Sequence, residues 1–303
     1  MAKPDKRLGK QGVFLGRVQS ILPEKYWPNL YGPRQQSIRV NALKSDLTFP
    51  RPIKWAANCY WFSGDKSKLT HGKDFDQGHI YLQNAASFIP PLLIDPKPKQ
   101  RVLDMCAAPG GKASHIAALS NNQAELWVND NSRTRLNRMM ANFERLGVKT
   151  HNTTLHVADH LKHDFPHDYF DKILLDAPCS GEGMIDLSDP TSLTQWSTAQ
   201  IKRMQGLQKR AISTAWELLK PGGHLVYSTC TIAPEENEAV VNYLLRKHHA
   251  ALLPINLPLE NRIPALQQWN NKIYGSDLSN CLRLAPTPKI EAFFVAHIRK
   301  TTI

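Results

Sequence analysis

From residue 101 onward, short apolar runs alternate with longer stretches in which apolar side chains recur every three to four residues. Arg101–Asp104, Glu125–Asn129, Thr153–Ala158, Asp171–Leu175 and Leu225–Ser228 read as strands, with Ala292–Ile298 as a last one. A helix is predicted from about Ala113. A second spans 132–146, with Leu136, Met139, Met140 and Phe143 on one face and Gly147 as its stop. Ser197 with Gln200 makes a capping-box start for a third helix. It should run to Lys220, where Pro221-Gly222-Gly223 ends it, and a fourth starts from Glu235. Strands alternating with helices predict an α/β, Rossmann-like fold with a mostly parallel, doubly wound sheet. In such sheets ligands lie outside the carboxyl ends of the strands.

The first 94 residues pattern differently. Short β-prone pieces (Ser37–Val40, Cys59–Phe62) sit among many Pro and Gly, which reads as a small α+β region. Gly78–Ile89 suggests a turn leading into a helix that packs on the next domain. Asp95-Pro-Lys-Pro-Lys-Gln100 is short, stiff and polar, so the expected division is 1–95 and 96–303.

The 303 residues are 42% hydrophobic and 21% charged, ordinary for a soluble globular protein. No apolar run approaches the ~20 residues that cross a bilayer. The segment MAKPDKRLGKQG lacks the apolar core of a signal peptide, and a cytoplasmic protein is expected. Charge changes the picture more. Lys and Arg outnumber Asp and Glu by 38 to 26, and residues 1–95 hold 14 basic against 7 acidic side chains. That is the footprint of a phosphate-backbone binder. No long amphipathic helix with an aromatic face supports a membrane surface instead, and no obligate protein partner is evident.

Candidate chemistry gathers at the strand ends. The first strand runs into Cys106-Ala107-Ala108-Pro109-Gly110-Gly111-Lys112, where two glycines let backbone N–H groups approach a ligand at a helix N-terminus. A plain strand-to-helix turn would look similar. The loop is not a P-loop, because its first Gly is missing and Ala113 comes after the Lys. Nor does it carry G-x-G-x-x-G, so a nucleotide-like ligand without a pyrophosphate is expected. Asp130 ends the second strand, placed for ribose hydroxyls. Asp159 ends the third, placed for an adenine amino group, and Asp176 ends the fourth. Three carboxylates after successive strands favour an adenosine-type cofactor.

Five cysteines, none in a C-x-x-C pair, argue against a disulfide framework or a zinc site and predict no metal. Buried filler is the ordinary role of a free Cys. Cys179 and Cys230, however, each fall just past a strand end, on strands expected to be adjacent. A Cys nucleophile needs thiolate character, which nearby charge such as Lys112 promotes. Methylation of cytosine is one reaction with this requirement. Carbon 5 becomes nucleophilic only once a thiolate adds to carbon 6, and a second acid–base group must then help shed the carbon-5 proton.

Over residues 35–300 the chain resembles the Nol/Nop/Sun family of RNA (cytosine-5)-methyltransferases. The matching segments are Ser37-Ile-Arg-Val-Asn-Ala-Leu-Lys44, Ile80-Tyr-Leu-Gln-Asn84, Cys106–Lys112, Asp176-Ala-Pro-Cys-Ser-Gly181, Tyr227-Ser-Thr-Cys-Thr231 with Glu235-Glu-Asn237, and Phe293-Phe-Val-Ala296. The resemblance implies a class I methyltransferase fold, S-adenosyl-L-methionine as cofactor, Cys230 as nucleophile and Cys179 assisting product release. Asp176 would recognise the cytosine edge and contact the cofactor. Residues 106–112, Asp130 and Asp159 would hold the cofactor. The implied partner is structured RNA, ribosomal ahead of transfer RNA. The chain departs from the family pattern at Met184-Ile-Asp186 and at Pro288-Lys-Ile-Glu-Ala292, which bears on the choice of RNA. Methylation of DNA or protein, and a non-catalytic RNA-binding module, are the competing readings.

Overall fold

The computed structural model describes residues 6–149, 153–156 and 165–301. Helix α1 (Lys6–Ile21) opens the chain. Its three glycines each weaken a helix by ~1 kcal/mol, which hid it from pattern reading. Tertiary burial decides instead: Phe14 and Val18, one turn apart, are fully buried, with Phe14 edge-on to Trp196 at 5.2 Å. Next come β1 (Gln36–Val40), β2 (Cys59–Phe62) and β3 (Ile80–Leu82), an antiparallel sheet of order β2-β1-β3. Ile80–Leu82 pairs with β1 as a strand, and the helix read from Gly78–Ile89 begins only later. Short helices α2 (Lys66–Thr70) and α3 (Lys73–Asp76) join β2 to β3, and α4 (Ile89–Ile94) leads onward.

The second sheet carries the crevice. Strands β4 (Arg101–Asp104), β5 (Glu125–Asn129), β6 (Thr153–His156), β7 (Phe170–Asp176) and β8 (Leu219–Thr229) run parallel in the order β6-β5-β4-β7-β8. The order reverses between β4 and β7, which fixes where a ligand sits. Ile173, Leu174 and Leu175 on β7 are all fully buried, as expected for a strand covered on both faces. Each contributes roughly 1.5–3 kcal/mol of burial. The helices connecting these strands are α5 (Gly111–Leu119), α6 (Arg133–Leu146) and α7 (Thr198–Leu218). Ser132 caps α6 and Gly147, at φ +72°, ends it. Ser197 accepts from the Gln200 N–H at 3.1 Å to start α7.

Four departures refine the pattern. Helix α7 stops two residues early because Leu219 already pairs with Phe170. Lys220–Gly223 then bulges before His224 resumes pairing with Lys172. Helix α8 (Glu238–Lys247) begins three residues late, since Glu235–Asn237 are used otherwise. The chain then adds β9 (Ala250–Leu253), β10 (Arg262–Ile263), a β11–β12 hairpin (Gln268–Trp269, Lys272–Ile273) and β13 (Leu282–Leu284). Finally β14 (Phe293–Lys300) runs antiparallel to β8 and carries β9 and β13, so the expected parallel sheet gains an antiparallel edge. No helix among the described residues is long and apolar enough to cross a membrane.

Candidate active site

The loop after β4 carries Cys106–Lys112 into α5. Gly110 caps α5 at φ +99°, and a Cβ there would lie 2.7 Å from Met139 Cγ, so glycine is required. Arg39 of β1 fixes the helix start from below. It is 1% exposed and donates to Gly111 O at 3.0 Å and Ser114 Oγ at 2.8 Å. Burial lowers its guanidinium to about 10, far above neutral pH, so it stays charged.

Two cavities open here, of about 360 and 230 Å³. Both reach Cys106, Ala108 and Asp176, so they meet at the β4/β7 switch point. The larger touches Asp104, Ala107, Pro109, Gly111 and Lys112. The smaller touches Asp130, Asn131, Pro178, Cys179 and Cys230. Asp130 is 2% exposed and its carboxylate is shared. Oδ1 accepts from Ser132 N at 3.1 Å, while Oδ2 accepts from Ala108 N at 3.3 Å and pairs with Arg135 at 3.2 Å. Asp130 therefore braces the loop. Asp159 lies outside the described residues.

Asp104 is a site residue that sequence reasoning missed, although it closes β4 just before Cys106. It is 1% exposed, Oδ1 accepts from Cys106 N at 3.3 Å, and Oδ2 has no partner. Burial and then the nearby Asp176 charge push its carboxyl up to about 7. Burial also raises the Cys106 thiol well above its ordinary value, so Cys106 stays protonated. An acceptor-rich, partly unpaired pocket of this kind fits a cationic nucleoside. S-adenosylmethionine, with its ammonium and sulfonium charges, meets that description.

Asp176 closes the other wall. Its Oδ1 accepts from Ser228 Oγ and its Oδ2 from Lys112 Nζ, both at 2.7 Å. For Lys112, burial works downward, but the Asp176 contact outweighs it and the ammonium is held above its usual value. Because β7 and β8 pair with Asp176 opposite Ser228, Cys179 and Cys230 emerge side by side. Their sulfurs are 3.4 Å apart. The Cys230 contact and burial raise the Cys179 thiol well above its ordinary value, leaving it a proton holder.

The Thr229–Glu238 turn that carries Cys230 is held by side chains. Thr229 Oγ1 donates to Asn237 Oδ1 at 2.5 Å, and Asn237 Nδ2 donates to Thr231 O at 2.9 Å. Glu236 accepts from Ser180 N at 3.0 Å and Gln208 Nε2 at 2.8 Å, with burial pushing it up to about 7. Glu235 takes both Arg17 nitrogens, at 3.2 and 2.9 Å. Glu238 pairs with Arg283 at 2.5 Å, both fully buried, and Arg283 also donates to Ile232 O at 2.8 Å. Gly183 donates to Cys230 O at 2.9 Å, and a Cβ on it would lie 2.2 Å from Ala292 O. Gln208 was visible in principle, as one polar residue in the apolar stripe Met204, Ala211, Ile212, Ala215. Arg17 and Arg283 carried no local signal.

Against known proteins, residues 91–299 match the family described as 16S rRNA methyltransferase RsmB/F. The chain is 38% identical over 290 residues to the tRNA (cytosine(49)-C(5))-methyltransferase of Pyrococcus abyssi, covering 91% of this chain and 92% of that one. It is 37% identical over 311 residues to ribosomal RNA small subunit methyltransferase F of an Escherichia coli O6:H1 strain, covering 95% of this chain but 63% of that one. The chain thus spans less than two thirds of that relative. A solved methyltransferase homolog from Pyrococcus horikoshii superposes with a TM-score of 0.81 at 34% identity, covering 98% of this chain and 99% of that one. The chain belongs to the Nol/Nop/Sun family of RNA (cytosine-5)-methyltransferases, in the group described as 16S rRNA methyltransferase RsmB/F.

Proposed function

We propose that this protein methylates carbon 5 of a cytosine in structured RNA, using S-adenosylmethionine and a transient bond to Cys230. The observation that carries the reading is the pair of sulfurs, 3.4 Å apart, facing the cavity that also holds Asp130 and Asp176. The cofactor would lie along Cys106–Lys112 with its ribose at Asp130, and it supplies the methyl group. Asp176, oriented by Lys112 and Ser228, accepts from the cytosine edge. Cys230, as the thiolate, adds through sulfur to carbon 6, and carbon 5 then takes the methyl group, whose former bond pair stays on the sulfur that held it. Carbon 5 next gives up its proton to a water molecule in the crevice, and the bond from sulfur to carbon 6 breaks with its pair leaving on Cys230. The Cys179 thiol donates to that thiolate and takes a proton back from solvent. Residues 1–95, with their basic excess, would form the RNA-binding region. The cytoplasm is the compartment this reading implies.

Replacing each thiol tests the chemistry. Cys230→Ala should abolish both methyl transfer and any RNA-linked band on a denaturing gel. Cys179→Ala should accumulate that band, because attack and transfer proceed while release fails. The double variant should lack it. A band from Cys230→Ala and none from Cys179→Ala would reverse the roles.

Two RNAs are supported by different observations. The family model is described by 16S ribosomal RNA, whereas the transfer-RNA enzyme of P. abyssi matches along nearly its whole length. We put ribosomal RNA first. Bisulfite sequencing of total RNA from a deletion strain decides, through loss of a ribosomal or a transfer RNA methylcytosine.

A further inference from the structure

The larger catalytic cavity does not end at the crevice. Its far wall is Gln36 of β1, and Gln36 also lines a neighbouring open groove of about 550 Å³. That groove shares Arg51, Pro288 and Lys289 with a third, of about 540 Å³. Together they make one trench between the β1–β2 sheet and the Thr287–Ile290 turn.

Its walls are fixed. Gln35 N donates to Pro288 O at 2.8 Å, Trp61 N donates to Arg51 O at 2.8 Å, and Thr287 Oγ1 accepts from Ile290 N at 3.0 Å. Its charge is one-sided. Arg34, Arg51, Lys54 and Lys289 line the trench outside the crevice, and among the described residues none of them enters an ion pair within 4 Å, although Asp186 and Glu291 act on Arg34 from farther off. Outside the crevice itself Glu260 is the acidic lining residue. Cations with no carboxylate in direct contact, beside the crevice, suit a polyanion.

Aromatic surface accompanies the charge. Trp55 and Trp61 are half-buried and line the outer groove, and Phe62 lines the middle one. Lys289 Nζ lies over the Trp61 ring, 5.7 Å from its centroid, so a base stacking on that face takes the lysine's place and the displaced ammonium meets the adjoining phosphate. At the inner end, Gln36 Oε1 and Gln83 Oε1 are acceptors without partners, held just below the surface on half-buried side chains that a turn of the side chain would present to the trench. Gln83 is oriented by its own donation to Ser87 O at 3.0 Å. Unfilled acceptors at a ligand wall await a donor, and in a nucleic acid the ribose 2′-hydroxyl is the donor that marks RNA.

We infer that this trench holds the single-stranded nucleotides flanking the target cytosine, with a base stacked on Trp61, phosphates on Arg51 and Lys289, and a 2′-hydroxyl donating to Gln36. Basic grooves with stacking aromatics are how proteins take single strands. The trench also gives the Pro288-Lys289 departure from the family pattern a place, on the wall that meets the strand. The inference rests on the RNA reading above but not on its covalent step.

Fluorescence anisotropy with a cytosine-containing single-stranded RNA of ~12 nucleotides, its 2′-deoxy counterpart and a duplex RNA tests it. Trp61→Ala should weaken the single strand about fivefold to a hundredfold. Lys289→Ala and Arg51→Ala should each flatten the slope of log affinity against log salt by about 0.7, one phosphate apiece. Gln36→Ala should erase the preference for RNA over its deoxy counterpart. Cofactor affinity by calorimetry should stay at the wild-type value in Trp61→Ala and Lys289→Ala, which also shows that they fold. Folded variants that bind the single strand as the wild type does, or a wild type that prefers the duplex, overturn the trench. Loss of the Cys179→Ala covalent band with trench binding intact would instead sink the chemistry and leave the trench standing.

Discussion

On the β4–β5 side of the crevice the holding is done mainly by backbone. Gly110, Gly111 and the start of α5 make the loop, and Asp130 braces it through two N–H groups and Arg135. The β7–β8 side is held by side chains. Thr229–Glu238 is neither helix nor strand over most of its length, so its buried polar groups need partners from elsewhere. Arg17, Gln208 and Arg283 supply them. The loop after β4 is built from local backbone and braced by Arg39 and Asp130. The turn that carries Cys230 is tied by side chains to three distant parts of the chain.

Breaking the tied side should have the largest effect. Glu238→Ala leaves Arg283 buried without its carboxylate, which costs about 3–5 kcal/mol. Denaturant unfolding should show this, and the Glu238→Met, Arg283→Met double variant should recover much of it. An equal loss in the double variant would mean that the charges are not what holds the turn.

On the backbone side the expected loss is smaller and falls on binding. Asp130→Ala should weaken S-adenosylmethionine by about 1.5–3 kcal/mol, roughly ten- to hundredfold. Calorimetry on the folded variant measures this. Unchanged affinity would leave Asp130 a brace only.

Asp104 gives the mildest test and a sign. Its folded pKa of about 7 stands above the ordinary 3.8. The folded state therefore holds an extra proton between those values, and stability present below about pH 4 is lost as pH rises through 7. Asp104→Asn removes that loss. Melting midpoints should fall less between pH 5 and 8 in the variant, which gains on the order of 1–3 kcal/mol at pH 8. A wild type whose stability rises over this window would contradict the assignment.

The same contrast explains what could be read in advance. Strands β4, β5, β7 and β8 and the loop Cys106–Lys112 come from local period and local glycines, so the parallel half of the fold and its ligand edge were legible. Cys179 beside Cys230 needed one further step, that β7 and β8 are neighbours. Strands β9 to β13 were not legible, because pieces of two to four residues carry too little period to register. Helix α1 was hidden by its glycines, and Arg17 meets Glu235 across 218 positions. A long-range pair leaves no mark near either residue.

Arg39 has a consequence for how the two ligands would meet. It reaches from β1 to the first turn of α5, and Gln36 stands three residues earlier on the same strand. The wall of the trench and the floor of the cofactor loop are thus one piece of backbone with a charged bolt through it. A displacement of β1 by a nucleotide strand would reach Gly111 and Ser114 through Arg39. Equilibrium then demands reciprocity: the factor by which RNA alters cofactor affinity equals the factor by which the cofactor alters RNA affinity.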